Sequence, residues 1–135
     1  MADYERKFFN KVKPEHIVRI DFTPMNLFRK PLTKRIWESL GFDLKLFVIL
    51  RDPARRAYSQ YQMSLRGGHE VFPFEEAIYR GRGDLDTEYK DRVLNYIERG
   101  YYFDQISGYP EFFSLEQLHI IIFEDFIANP KDEII

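Results

Sequence analysis

The chain has 135 residues, enough for one compact domain with a real core but short for an enzyme that must hold a nucleotide and an acceptor together. Twenty Lys and Arg stand against 22 Asp and Glu, a formal charge of -2, so no global field draws the protein to nucleic acid or to an acidic membrane, and any anion must be met by a local site. There is no Cys, which excludes disulfides, thiolate metal sites and a cysteine nucleophile, while an aromatic content of 17% is that of a chain that folds by packing.

Met1 to Lys13 mixes charges with Phe8 and Phe9 and reads as a polar lead-in with an apolar anchor. Ile17 to Phe22 (IVRIDF) is β-branched and loosely alternating, and predicts a short strand that places Asp21 at its end, before the Thr23-Pro24 turn signal. Leu32, Ile36 and Leu40 recur every four residues between Pro31 and Gly41, the start and stop of a helix. Leu44 to Leu50 (LKLFVIL) is almost continuously apolar, which predicts a strand buried on both faces of a parallel sheet.

Arg51-Asp52-Pro53 follows, with Asp52 as a cap and Pro53 at the first helical position. In the helix beyond, Ala54, Ala57, Tyr58, Tyr61 and Leu65 predict an apolar stripe, while Arg55, Ser59, Gln62 and Arg66 face away, up to a stop at Gly67-Gly68. Helical patterns return at Phe74 to Tyr79, from about Thr87 to Arg99, and from Tyr102 to Tyr109, with a Gly81-Arg82-Gly83 loop expected to be mobile. Leu118 to Phe123 predicts a third strand, and Glu124-Asp125 opens a short helix that Asn129-Pro130 ends. Strands alternating with helices imply a single α/β domain, a parallel sheet flanked by helices in three layers. With about three strands, and a chain that stops at Ile134-Ile135, the domain is expected to be incomplete, with a bare sheet edge through which copies of the chain would self-associate.

The chemistry concentrates after the second strand. Arg51 stands at the carboxyl end of a parallel strand, where α/β ligands bind, and offers a forked, permanent cation suited to phosphate. The helix N-terminus adds aligned N–H groups. Ser59 lies about two turns in, roughly 10 Å along the axis, so it meets the same ligand only if that ligand lies along the helix, as an extended nucleotide would. Taken singly, the two residues also fit a salt-bridged surface Arg and a solvated Ser.

The stretch KLFVILRDPARRAYSQY, Lys45 to Tyr61, resembles the 3′-phosphate-binding motif of sulfotransferases that use the sulfuryl donor PAPS, with Arg and Ser at the family spacing. RGYYFDQI (Arg99 to Ile106) is similar to the family's Gly-x-Tyr helix start, and LHIIIFEDFIANP (Leu118 to Pro130) to its late strand and acidic turn, closest to the heparan-sulfate and bacterial branch. The resemblance spans nearly all of residues 17 to 135 and implies a three-layer fold like that of P-loop proteins, PAPS or PAP as co-substrate and a carbohydrate-like acceptor; the charge balance, the lack of a membrane-length apolar run and the lack of metal spacing give the expectation of no nucleic-acid partner, no membrane and no metal. It implies that Arg51 and Ser59 bind the 3′-phosphate.

IDFTPMNLF (Ile20 to Phe28) looks like the family segment whose Glu before a Thr-Pro step is the general base; here that position is Asp21, one methylene shorter, for which a turn acceptor of backbone N–H groups is the competing reading. Tyr102 has two readings as well, a ligand-site residue by the resemblance or an aromatic core position, and Arg55 and Arg56 are either a solvated face or a further hold on the nucleotide. His16, His69 and His119 lack metal spacing. The family's Pro-Lys-x-Gly-Thr loop, which cradles the 5′-phosphosulfate, has no counterpart; Arg29-Lys30-Pro31-Leu32-Thr33 lacks both the Gly and the preceding buried strand. The family's closing loop would lie past residue 135. The expected function is therefore sulfuryl transfer from PAPS to a hydroxyl or amine, with this chain carrying the 3′-phosphate site and weak or no turnover by itself. The alternative is a non-catalytic relative that binds a PAP-type nucleotide or a protein. A cytoplasmic location is the default expectation, since no secretory core or membrane-length apolar run is present.

Overall fold

A computed structural model describes residues 6–7, 9–28, 31–41, 43–80 and 93–131. The expectations for Phe8, for the mobile Gly81-Arg82-Gly83 loop, for the start of a helix at Thr87, and for Ile134-Ile135 fall outside these residues. Helices α1 (Met25–Phe28) and α2 (Pro31–Leu40) lead to strand β1 (Leu46–Leu50). The long helix α3 (Pro53–Arg66), α4 (Phe74–Arg80) and α5 (Tyr102–Ile106) follow, then strand β2 (Leu118–Ile122) and α6 (Phe123–Ala128). The fold is α/β: β1 and β2 pair side by side in a small parallel sheet, and the helices between them form the crossover that parallel strands need.

The strand expected at Ile17 to Phe22 does not form; the segment is irregular, with Ile17 98% and Phe22 83% exposed. A β-branched sequence is only a bias toward the strand conformation, and without a neighbouring strand to receive its N–H and C=O groups it does not become one. β1 and β2 also differ from the expectation of burial on both faces. Val48 and Ile121 are buried, but Phe47, Ile49, Ile120 and Ile122 are exposed, because successive side chains alternate between faces and only one face is covered among the described residues.

The described residues group into two compact units, Met1–Val48 with Asp104–His119, and Ile49–Phe103 with Ile120–Ile135. In the first, Tyr109 and Phe113 are buried with ring centroids 6.3 Å apart, and the Tyr109 hydroxyl donates to the Asn26 carbonyl at 2.7 Å. Burial pushes that phenol above its ordinary pKa. Trp37 of α2 meets Phe112 at 6.0 Å, and α2 ends at Gly41, whose φ of 81° is the left-handed value that helix stops use. The expected helix from Tyr102 to Tyr109 stops at Ile106 and gives way to a 3-10 turn at Tyr109–Glu111; Gly108 and Pro110 break the ladder.

The second unit is organised by α3. Asp52 caps it as expected, its Oδ1 accepting from the Arg55 N–H at 2.8 Å, and Pro53 occupies the first helical position. Its buried face is not the predicted stripe, however. Ala57 and Tyr61 are inside as expected, but Leu65 and Tyr58 are not; Gln60 and Ser64 take their place. The reason is hydrogen bonding: Gln60 Nε2 and Ser64 Oγ both donate to the Val93 carbonyl, at 2.7 and 3.3 Å, so these polar groups are buried with a partner. Ala57, Tyr61, Ala77 and Tyr96 form the core, with Phe72, Phe74, Ile78 and Leu94 packed against it.

At its heart is a carboxylate. Glu70 accepts from the Tyr96 hydroxyl at 3.0 Å and from the Val71 and Phe72 N–H groups at 2.9 and 3.1 Å. The helical reading up to Arg99 also fails at its end, where Asn95 bends the chain: its Oδ1 accepts from the Glu98 N–H at 3.1 Å and Glu98–Gly100 is a 3-10 turn.

Gly68, just past α3, has φ of 69°, and nothing lies within 4 Å of where a Cβ would stand. The penalty of a side chain there is backbone strain alone, so Gly68→Ala is expected to lower stability by about 1 kcal/mol. Urea unfolding should show a lower midpoint with an unchanged slope. An unchanged midpoint would mean that the left-handed conformation is not held.

Candidate nucleotide-binding cleft

The end of β1 delivers Arg51 directly to the start of α3, and the helix carries Ser59 two turns further along the same side. The structure places both in the wall of one open cleft of about 580 Å³, with Ala54, Arg55, Tyr58, Gln62 and Phe74 as the rest of the lining. All seven belong to the second unit. Gln62 follows Ser59 by one helical turn, so periodicity alone points to it. Phe74 arrives from α4, and no local signal in the sequence brings it to the cleft; its ring meets Tyr58 edge-on at 5.2 Å.

Arg51 is held by several contacts. Its guanidinium carbon sits 4.9 Å from the centroid of Phe123, and its Nε lies 3.8 Å from Glu124 Oε1. That is an ion pair without a hydrogen bond: both atoms are buried, and among the described residues neither has a hydrogen-bond partner. The Tyr102 hydroxyl donates to the Arg51 carbonyl at 2.9 Å, which fixes the backbone from which the side chain springs. Tyr102 is half-buried, does not line the cleft, and acts as a strut behind Arg51. Glu124, at the first turn of α6, is the contact that the sequence reading did not assign. Arg51 and Glu124 keep about a third of their side-chain surface in solvent, and the cation remains open to a second anion.

Asp21 does not line this cleft. It belongs to the first unit, in the irregular segment before α1, where its Oδ1 accepts from the Thr23 hydroxyl at 2.8 Å. This donor is a side-chain hydroxyl and not one of the backbone N–H groups of the turn-acceptor reading. Arg55 lines the cleft and Arg56 does not. Among the described residues no group of three His, Cys, Asp or Glu is placed to hold a metal ion, and no helix is long and apolar enough to cross a membrane.

An α/β chain with an Arg at a strand end and a Ser on the following helix has these side chains where α/β folds place their ligand sites, at the carboxyl ends of parallel strands. Residues 9–135 match the sulfotransferase domain family, and the chain is a member of it. It is 27% identical over 119 residues to heparan sulfate glucosamine 3-O-sulfotransferases 3B1 and 3A1 of Mus musculus, an alignment that covers 87% of this chain and 29% of each relative. A sulfotransferase from Alicyclobacillus acidocaldarius of known structure superposes with a TM-score of 0.80 at 27% identity, over 96% of this chain and 51% of that one. The chain thus spans about a third of the length of the curated relatives it matches and about half of the structural neighbour.

Proposed function

We propose that this protein carries the 3′-phosphate site of a sulfotransferase that moves a sulfuryl group from PAPS to a hydroxyl or amine of a carbohydrate-like acceptor. The observation that carries the reading is the meeting of Arg51 and Ser59 in one open cleft beside the N-terminus of α3. Arg51 supplies a fork matched to two phosphate oxygens, and the hydroxyl of Ser59 supplies a neutral donor further along the helix. Family membership and the names of the relatives support sulfuryl transfer and a sugar acceptor. Asp21 is the group proposed to take the proton from the acceptor, with the shorter side chain as the departure from the family's Glu.

A second reading, a relative that binds a PAP-type nucleotide without turnover, is favoured by one specific feature: Asp21 is one methylene shorter than the family's Glu and does not line the cleft. Calorimetric titration tests the binding half that both readings share. The chain should bind 3′,5′-ADP and prefer it over 5′-AMP, which lacks the 3′-phosphate; equal affinity for the two would sink the assignment of Arg51 and Ser59. Sulfuryl transfer from PAPS to a glucosamine-containing oligosaccharide then separates the two readings.

A further inference from the structure

The opposite flank of Ser59 faces a second cavity, of about 310 Å³, lined by Arg56, Ser59, Gln60, Met63, Arg66 and Arg99. Its α3 residues recur at intervals of three, one, three and three, so one helix face presents them, while Arg99 comes from the 3-10 turn at Glu98–Gly100. Three guanidinium groups thus surround one concavity, and among the described residues no carboxylate lines it.

Arg56 is the informative member. It is half-buried, and it donates to two neutral acceptors, Gln60 Oε1 at 2.6 Å and the carbonyl of Tyr96. These fix the side chain without neutralising it, and among the described residues its buried Nε has no hydrogen-bond partner. Burial pushes the guanidinium below its ordinary pKa; nearby Tyr102 opposes this and the like charge of Arg99 adds to it. A held cation, an unused buried donor and neighbouring like charges are what an anion would relieve. A solvated basic face would need none of the hydrogen bonds that immobilise Arg56 against Gln60 and Tyr96.

We infer that this cavity is a second anion site, which takes one tetrahedral oxyanion, a phosphate or sulfate ester group, between Arg56, Arg66 and Arg99. Because Ser59 lines both cavities, a ligand with two such groups can occupy both sides of α3's exposed ridge. The site stands on residues other than Arg51 and does not depend on the function proposed above.

The test follows the arginine Nε–H resonances of the full chain by NMR during titration with inorganic sulfate. The expected result is a saturable shift of Arg56, about fivefold weaker in Arg66→Ala and abolished in Arg66→Ala/Arg99→Gln. Arg66 is exposed, so its loss leaves the fold intact. Arg51→Ala should leave the Arg56 titration unchanged, which separates this site from the nucleotide cleft. Displacement of sulfate from Arg56 by 3′,5′-ADP identifies a nucleotide phosphate as the source of the oxyanion; displacement by a sulfated disaccharide identifies a sugar sulfate, and either supports the site. A linear, unsaturable drift, or a titration equally strong in the double variant, overturns it, since sulfate would then act only by general exclusion from the surface.

Discussion

Arg51→Ala should weaken 3′,5′-ADP by about a hundredfold and leave 5′-AMP almost unchanged, so that the preference between them disappears. A charge-assisted, forked contact to phosphate contributes about 2–3 kcal/mol, and each 1.4 kcal/mol is a factor of ten in affinity. Arg51→Lys should recover only part of the loss, because an ammonium keeps the charge and gives up the fork. Calorimetry at constant ionic strength reads both, and raising the salt should compress the difference, as expected of a site a third open to solvent. Equal losses for the two nucleotides would move Arg51 from phosphate recognition to a structural role, in which its contacts with Phe123 and Glu124 shape the cleft. A melting curve of the unliganded variant distinguishes these cases, since a structural role lowers the unfolding temperature without any ligand.

The largest effect on stability is expected at Tyr96, 1% exposed at the centre of the second unit's core. Tyr96→Ala removes a ring that packs edge-on to Tyr61 at 6.1 Å and leaves Glu70 without its hydroxyl donor. Cavity formation around a deleted aromatic costs about 3–5 kcal/mol, a large part of the stability of a domain of this size. Tyr96→Phe keeps the ring and deletes only the hydrogen bond, at about 1–2 kcal/mol.

The same hydroxyl makes stability depend on alkaline pH. Burial pushes the Tyr96 phenol up to about 12, with Ser64 pulling it down and the hydrogen bond and charge of Glu70 pushing it further up. A folded-state pKa above the ordinary value near 10 means that the folded chain holds the proton more tightly than the unfolded chain. This contribution is therefore complete below pH 10 and lost as the pH rises toward 12. Urea unfolding at pH 9, 10, 11 and 12 should show stability falling over that window, less steeply in Tyr96→Phe; parallel falls would assign the effect to the other raised phenols, Tyr61 and Tyr109.

Much of this molecule is written locally. The sequence by itself determined α2, α3 and α6, because Pro and Gly punctuation and a capping Asp act within a few residues, and it determined the pairing of Arg51 with Ser59, because a strand end and two turns of helix between them leave their spacing little freedom. It also determined family membership through the run Lys45 to Tyr61. The tertiary structure decided what depends on distant partners. Ile17 to Phe22 has the composition of a strand and, among the described residues, no strand to pair with, so it stays irregular. Gln60 and Ser64 displaced Leu65 and Tyr58 from the buried face of α3 because the Val93 carbonyl, about thirty residues away, accepts from both; no periodicity in α3 foretells it. The same holds for Glu124 beside Arg51 and for Arg99 beside Arg56: charges from separate segments meet only once the chain has folded, and hydrophobic pattern, which places elements, says nothing about which cation a half-buried carboxylate or a second cation will face.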